Sequence, residues 1–385
     1  MAVTVASHTM KLTVDRATLL KAVQQLGNVV NERSTLPILS HVLLSASHNT
    51  LTCAGTDLDM GMTVQLAVEL HEEGSIAVPA RRFMEMIKEL PEGPVHFQAR
   101  KNQSLLIESQ KCLFRLVGLP ADEFPQLPPF PETGAITCDQ SVFKFMLNLT
   151  NFAMSTEEAR YVLNGALLNL QQHILTIVAT DGRRLALATT ALPATQQQEF
   201  RAIIPSKTIR ELLRIVENGP MDISLLAGNQ MLFRFHNLTL ISRLMEGEFP
   251  NYEKVIPPPA KDKLTVNRVD LQAAVRRASL LTSTNSEGVR FDIAPEKLLI
   301  FKEAADIGEV REEVAIAYAG KPLTLHFNPH YLLDVLKVLP QEELTFELAT
   351  PAHGGDPKEV DSASRRGVIR SSDYLCLIMP MQPPS

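Results

Sequence analysis

Three aspartates stand where paired carboxylates would have to stand to do general acid and base work: Asp57 and Asp59 in TDLD, and Asp181 in TDGRRL. The two segments occupy equivalent positions of two internal copies. A carboxylate that recurs at one turn is more simply an Asx-type turn residue, accepting from backbone amides two residues on, than half of an active site. Of the ten histidines, the one helix-spaced pair, His326 and His330, straddles a strand-to-helix junction and reads as ordinary surface or core histidine rather than a metal site. Cys53, Cys112, Cys138 and Cys376 show no C-x-x-C spacing and read as reduced thiols of a cytoplasmic protein. The chain lacks the phosphate-loop, G-x-G-x-x-G, H-E-x-x-H and G-x-S-x-G patterns, so nucleotide, zinc and serine-hydrolase chemistry lose their usual support. No cofactor, no metal and no catalysis are expected.

These residues stand on a unit written three times. LTVDRATLLKAV at 12–23 returns as ITCDQSVFKFML at 136–147 and as LTVNRVDLQAAV at 264–275. In each, a short strand runs into Asp15, Asp139 or Asn267, whose side chains accept hydrogen bonds from the free amides of a helix start. Leu19 with Val23, Phe143 with Leu147, and Leu271 with Val275 then share one helical face. Arg16 and Lys21 in the first copy, and Arg276 and Arg277 after the third, lie off that stripe. A second helix opens in each unit at VPARRF, IIPSKTI and FNPHYLL, with Pro79, Pro205 or Asn328–Pro329 at its start, where a missing amide hydrogen costs little. Alternating strand patterns fill the rest, and PQLPPFPETGA and IPPPAKDK are linkers. The plan is α+β, two helices packed on antiparallel sheet, repeated as domains 10–130, 134–258 and 263–385. Met10 is the expected functional start, and the segment 350–372, rich in Gly, Ser and charge, is expected to be a mobile loop.

A chain of 385 residues exceeds one compact core, in keeping with the repeat. Its 45% hydrophobic and 21% charged content is ordinary, no apolar run approaches the roughly 20 residues that span a bilayer, and no secretory pattern opens it. A net charge of −6 argues against simple coating of nucleic acid. Its distribution says more. The six expected helices (15–30, 80–90, 139–155, 206–217, 267–283, 329–339) carry +5 between them, leaving −11 for everything else. Basic helices in an acidic body can offer a positive surface to a polyanion.

With TLPIL at 35–39, GTDLDM at 55–60, VPARRF at 78–83, ATDGRRLA at 179–186, EFPNY at 248–252, FNPHYLLDVL at 327–336 and a terminal MPM, the chain resembles the bacterial DNA polymerase III beta subunit, the processivity sliding clamp, over essentially residues 10–382. The resemblance implies a head-to-tail homodimeric ring with helices lining the hole and sheets outside. Six helices about 10 Å wide leave a bore of only about 9 Å, narrower than one major groove of about 12 Å. Twelve leave roughly 28 Å, enough for a duplex. Such a ring holds double-stranded DNA topologically, and base-specific contacts would hinder sliding.

By similarity, Arg33, Arg81, Arg82, Lys88, Tyr161 and Lys207 face DNA phosphates. A pocket for short linear peptides from replicative DNA polymerase, the clamp loader and repair proteins maps onto Leu163, Thr180, Gly182, Arg183, Arg184, Leu185, Pro250, Val255, Asn328, Tyr331, Leu377, Met379, Pro380 and Met381. The ring contact would pair Phe114 and Leu116 of one chain with Leu280 and Leu281 of the other. Several positions depart from the family pattern. Arg183 stands where relatives can carry histidine, Gln382 replaces a basic residue, and Glu157 and Glu287 are acidic where relatives can be neutral or basic. Two rival readings belong to other classes: a monomeric hydrolase using Asp57, Asp59 and Asp181, and a monomeric peptide-binding scaffold without DNA.

Overall fold

The computed structural model describes residues 9–30, 35–193, 198–283, 287–349 and 365–382. Arg33 and the start of the chain up to residue 8 lie outside these, as does 350–364 of the anticipated loop. Among the described residues six α-helices come in pairs, one pair per repeat: α1 (Arg16–Leu26) and α2 (Ala80–Glu89), α3 (Gln140–Thr150) and α4 (Ser206–Ile215), α5 (Arg268–Ser279) and α6 (Pro329–Val338).

The expected caps form. Asp15 Oδ1 accepts from Thr18 N at 2.9 Å, Asp139 Oδ1 from Ser141 N at 2.8 Å, and Asn267 Oδ1 from Val269 N and Asp270 N at 2.9 and 3.1 Å. Leu19, Val23, Phe143, Leu147, Leu271 and Val275 are all buried. Each such side chain contributes about 1.5–3 kcal/mol of transfer free energy. The residue after each cap does something that its charge does not announce. Arg16 donates to the carbonyls of Ile87 and Lys88, Arg268 to those of Leu336 and Gln341, and Gln140 to those of Asn218 and Pro220. In the first and third repeats the first helix thus reaches over to the end of the second and satisfies carbonyls that the helix leaves open, while Gln140 bonds carbonyls of the segment that follows α4. Arg16, read from sequence as a solvent-face cation, is therefore a structural donor. Arg277 is likewise committed, in a bidentate pair with Glu312 at 2.6 and 2.7 Å.

By compactness the chain forms two units, Met1–Ser141 with Arg210–Leu244, and Val142–Ile209 with Met245–Ser385, which divides the second repeat. Sheet continuity is the physical reason. In the first unit, Leu238–Arg243 of the second repeat pairs antiparallel with Met60–Ala67 of the first, joining four strands from each into one eight-stranded sheet. A separate five-stranded sheet ends on Cys112–Val117. In the second unit, Arg184–Ala191 pairs with Tyr374–Ile378, fusing the second repeat's strands with the third's into a twelve-stranded sheet. Alternation along a strand fixes its faces but not which repeat supplies its neighbour.

One expectation fails within the described residues. Arg366–Arg370, assigned to the mobile loop, is a strand between Glu343–Ala349 and Tyr374–Ile378. Val368 and Ile369 are buried there, and these two apolar residues outweigh the Ser-rich and charged composition around them.

Candidate peptide-binding groove

The second compact unit brings most of the anticipated pocket together around one turn. In TDGRRL, Thr180 Oγ1 donates to Arg184 O at 2.6 Å and accepts from Gly182 N at 3.0 Å, while Asp181 Oδ1 accepts from Arg183 N and Arg184 N at 2.8 and 2.9 Å. Gly182 sits at φ +84°, and a Cβ there would come within 2.8 Å of Arg160 Nη1. Arg160 itself donates to Asp181 O.

The same turn is built in the first repeat. Thr56 Oγ1 donates to Met60 O, Asp57 Oδ1 accepts from Asp59 N and Met60 N at 3.1 and 2.8 Å, and Leu58 holds the left-handed position at φ +80°. Asp57 and Asp181 therefore spend their carboxylates on backbone amides, as Asx turns do. No general base is set up at either turn. The two turns differ in what they present. At the first, buried Met60 stands in the place of Arg184, and Leu127 lies where a Cβ on Gly61 would be, 2.8 Å from its Cδ2. The second carries arginines instead.

Arg184 is the centre of the site. Its side chain is only 10% exposed, with Nε 3.0 Å from Asp181 Oδ2 and Nη1 2.6 Å from Asp334 Oδ2. Its guanidinium carbon lies 4.5 Å from the Tyr331 ring centroid and 5.4 Å from that of Phe152. Two carboxylates and two rings hold a planar cation in one orientation, which lysine could not reproduce. The preceding Arg183 is exposed, and hydrogen bonding to Tyr331 raises its pKa above the ordinary arginine value, with Glu157 and Glu287 adding to the effect.

The chain terminus crosses between two walls. Met379 N donates to Arg183 O at 2.9 Å and Met381 N to His326 O at 2.7 Å, so Pro380 is suspended between the turn and the strand that leads into α6. Asn328 caps α6, accepting from His330 N at 2.9 Å, and donates Nδ2 to Glu287 at 3.0 Å. Under the terminus, Leu185 and Leu377 belong to a buried apolar cluster with Phe249 and Tyr252, against which Leu163 and Met379 pack half-buried. Pro250 and Val255 are exposed on the segment that carries Phe249 and Tyr252 into this cluster, and the carbonyl of Val255 accepts from Arg366 Nη1 at 2.6 Å. Asp334, Phe152, Arg160 and Arg366 had no signal in the sequence, since each acts through a long-range contact rather than a motif.

A cavity of 330 Å³ lies elsewhere, in the first unit, lined by Thr18, Lys21, Gln25, Ile215, Glu217 and His236 among others. It contains none of the groove residues. The anticipated pocket residues lie instead over the apolar cluster that contains Leu185, Leu377, Phe249 and Tyr252.

Of the anticipated DNA-facing residues, Arg81 and Arg82 are exposed on α2 and both bond Glu85, at 3.0 Å each. Lys88 is exposed on the same helix, and Tyr161 and Lys207 are exposed in the second unit. At the anticipated ring contact, Leu280 is 75% exposed, but Leu116 is 7% exposed and faces inward, while Leu113 and Val117 of the same edge strand are 63% and 67% exposed. Among the described residues no group of three or more His, Cys, Asp or Glu could hold a metal ion, and no helix is long and apolar enough to cross a membrane.

Comparison with known proteins gives a consistent result. Models of the DNA polymerase III beta subunit match in chain order, the N-terminal domain at residues 10–128, the central domain at 137–251 and the C-terminal domain at 253–361. The beta sliding clamp of Pseudomonas putida is 36% identical over 378 residues, 97% of this chain and 100% of that one. Among solved structures, the sliding clamp from Bacillus subtilis superposes with a TM-score of 0.90 at 31% identity, covering 98% of this chain and 100% of that one. The Pseudomonas aeruginosa clamp bound to griselimycin gives 0.88 at 32% identity, covering 97% and 100%.

Proposed function

Because this chain belongs to the family of bacterial DNA polymerase III beta subunits, we propose that it works as a head-to-tail dimeric ring whose peptide groove tethers polymerase to the duplex it encircles. The coarser part of this needs no proposal. The chain is a three-domain DNA sliding clamp that serves polymerase processivity, and it is not an enzyme.

The observation that carries the groove reading is the fixed Arg184, held by Asp181, Asp334 and the Tyr331 ring beside an apolar floor that the chain terminus closes. A linear peptide would lay apolar side chains over Leu163, Leu185, Leu377 and Met379, with Arg184 and the backbone of the 180–184 turn meeting its polar groups. Polymerase, an ATP-driven loader and repair proteins of the cytoplasm are the partners this fits. Deleting 379–385 removes Met379, Pro380 and Met381. It should abolish binding of a fluorescein-labelled polymerase peptide, read by anisotropy, while sedimentation still shows a dimer; retained affinity counts against the groove.

For DNA, exposed Arg81, Arg82, Lys88, Tyr161 and Lys207, with Arg33, would touch phosphates weakly. Glu85 competes for two of these cations, which suits sliding better than tight binding. For the ring, the two surfaces are complementary in kind. The edge strand Cys112–Val117 and its neighbouring turns carry Arg100, Lys101, Lys111 and Arg115 around Leu113 and Val117. The hairpin of the third repeat carries Glu303, Asp306 and Glu309 around Ile307, which is 68% exposed, and Leu280 of the same repeat is 75% exposed. A heterologous contact between such surfaces closes two chains into a ring.

A further inference from the structure

Three arginines from two strands grip the segment between Phe249 and Pro257 by its carbonyls. Arg201 donates to Phe249 O at 3.5 Å, Arg366 to Val255 O at 2.6 Å and Arg370 to Pro257 O at 2.9 Å. Their charges are met differently. Arg201 is exposed on the outermost strand of its sheet, where solvent screens it. Arg370 also meets the buried Glu347, which Lys263 shares, and Arg365 meets Asp262. Arg366 meets no carboxylate among the described residues, and its one partner there is the Val255 carbonyl. That carbonyl takes one of the five N–H donors of a guanidinium. The Nη1 end reaches the exposed rim, while Nε stays buried without a partner. Burial, with no anion to offset it, pulls the pKa of the group below the ordinary arginine value.

Strand register places this cation at the groove. Gly367 pairs with Ile378 and Val368 with Leu377, so Arg366 follows opposite Met379, and on its other side it pairs with Ala349. Residues two apart along a strand share a face. Val368, Leu377 and Ala349 all belong to the apolar cluster beneath the anticipated pocket, and Met379 packs against that cluster. Arg366 therefore stands on the groove face, beside Met379 and bonded to Val255. Of the other cations there, Arg184 and Arg160 already hold carboxylates. Glu253 and Lys254, exposed and of opposite charge on the same segment as Val255, make no ion pair with Arg366.

We propose that Arg366 is the residue of the groove that receives a carboxylate, so that the peptides held there carry an acidic group beside their apolar anchors. The proposal rests on the groove being a peptide site and adds the chemistry of one contact. A carboxylate laid against Arg366 would accept from donors that Val255 leaves open, in a charge-assisted pair that the apolar surroundings strengthen relative to one in water. An aspartate or glutamate side chain and the peptide's own C-terminal carboxylate supply the same chemistry.

The test uses the full-length protein and four fluorescein-labelled peptides that share a Leu-Leu-Phe core, titrated by fluorescence anisotropy. One is neutral with an amidated C-terminus, two are amidated with a single aspartate before or after the core, and one is neutral with a free C-terminal carboxylate. At low salt at least one carboxylate-bearing peptide should bind roughly three- to tenfold tighter than the neutral one, and which one does so tells a side chain from a chain end. Arg366→Gln keeps an N–H for Val255 O and removes the charge. In this variant the neutral peptide should bind as it does to the wild type, whereas the advantage of the carboxylate should fall to unity. Equal affinities in the wild type overturn the proposal. So does an advantage that survives in Arg366→Gln, which would assign the carboxylate to another cation. A variant that weakens all four peptides alike also overturns it, because Arg366 would then only support Val255. If none of the four binds the wild-type protein, the groove reading itself falls, and this contact falls with it.

Discussion

The guanidinium carbon of Arg184 lies 4.5 Å from the centroid of the Tyr331 ring, bringing a cation from the second repeat and an aromatic ring from the third into one stack. Asp181 and Asp334 close on the same guanidinium from its own turn and from α6. The groove is therefore a product of the seam between repeats, and Arg184 is its pin.

Replacing that pin should disable binding before it disables folding. Arg184→Ala leaves Asp181 and Asp334 facing each other without a counterion and Tyr331 without its stacking partner. Peptide affinity by anisotropy should fall roughly tenfold or more, and Arg184→Lys should recover only part of the loss, because an ammonium lacks the planar fork. Full affinity in Arg184→Ala would remove Arg184 from the site.

Acid stability should respond to one exposed cap. Hydrogen bonds from the Thr18 amide and hydroxyl hold the Asp15 carboxyl below its ordinary 3.8. A group whose folded pKa is depressed contributes stability above its unfolded value and loses it as pH falls through that value toward the folded one. Asn267 performs the same capping without a titrating group. Asp15→Asn should therefore leave urea stability at neutral pH nearly unchanged and flatten its decline toward about pH 3. An acid limb as steep as that of the wild type would contradict this.

The ring contact is open to a sedimentation test. Leu280→Ala with Leu281→Ala removes the apolar surface at the end of α5, and the variant should sediment as a monomer at concentrations where the wild type is dimeric. An unchanged dimer would reject this placement of the interface. Leu113 and Val117, exposed where Leu116 is not, would then be the next side chains to replace.

Local chemistry was legible in the sequence, and long-range chemistry much less so. The three caps, the buried faces beginning at Leu19, Phe143 and Leu271, and the Asx turns at Asp57 and Asp181 all depend on neighbours within a few residues, which spacing encodes directly. The fusion of sheets across repeats was invisible, because the period of two along Leu238–Arg243 fits any partner of the right length. The role of Arg16 was hidden for a similar reason: its acceptors, Ile87 O and Lys88 O, are backbone atoms some seventy residues away and leave no trace in side-chain pattern. Of the groove, the resemblance named Arg184 and Tyr331, but Asp334 and Phe152, which fix them, emerged only from the fold. Burial of Leu116 beside exposed Leu113 and Val117 is likewise a fact of strand facing that the bare sequence left open.

The central claim is that binding to DNA is topological. Loaded onto nicked circular duplex by a clamp loader, the protein should remain on the circle through gel filtration at a salt concentration that dissolves weak phosphate contacts. It should then leave when a restriction enzyme linearises the same DNA, by sliding off the free ends. Retention on the linear molecule with unblocked ends would contradict the ring.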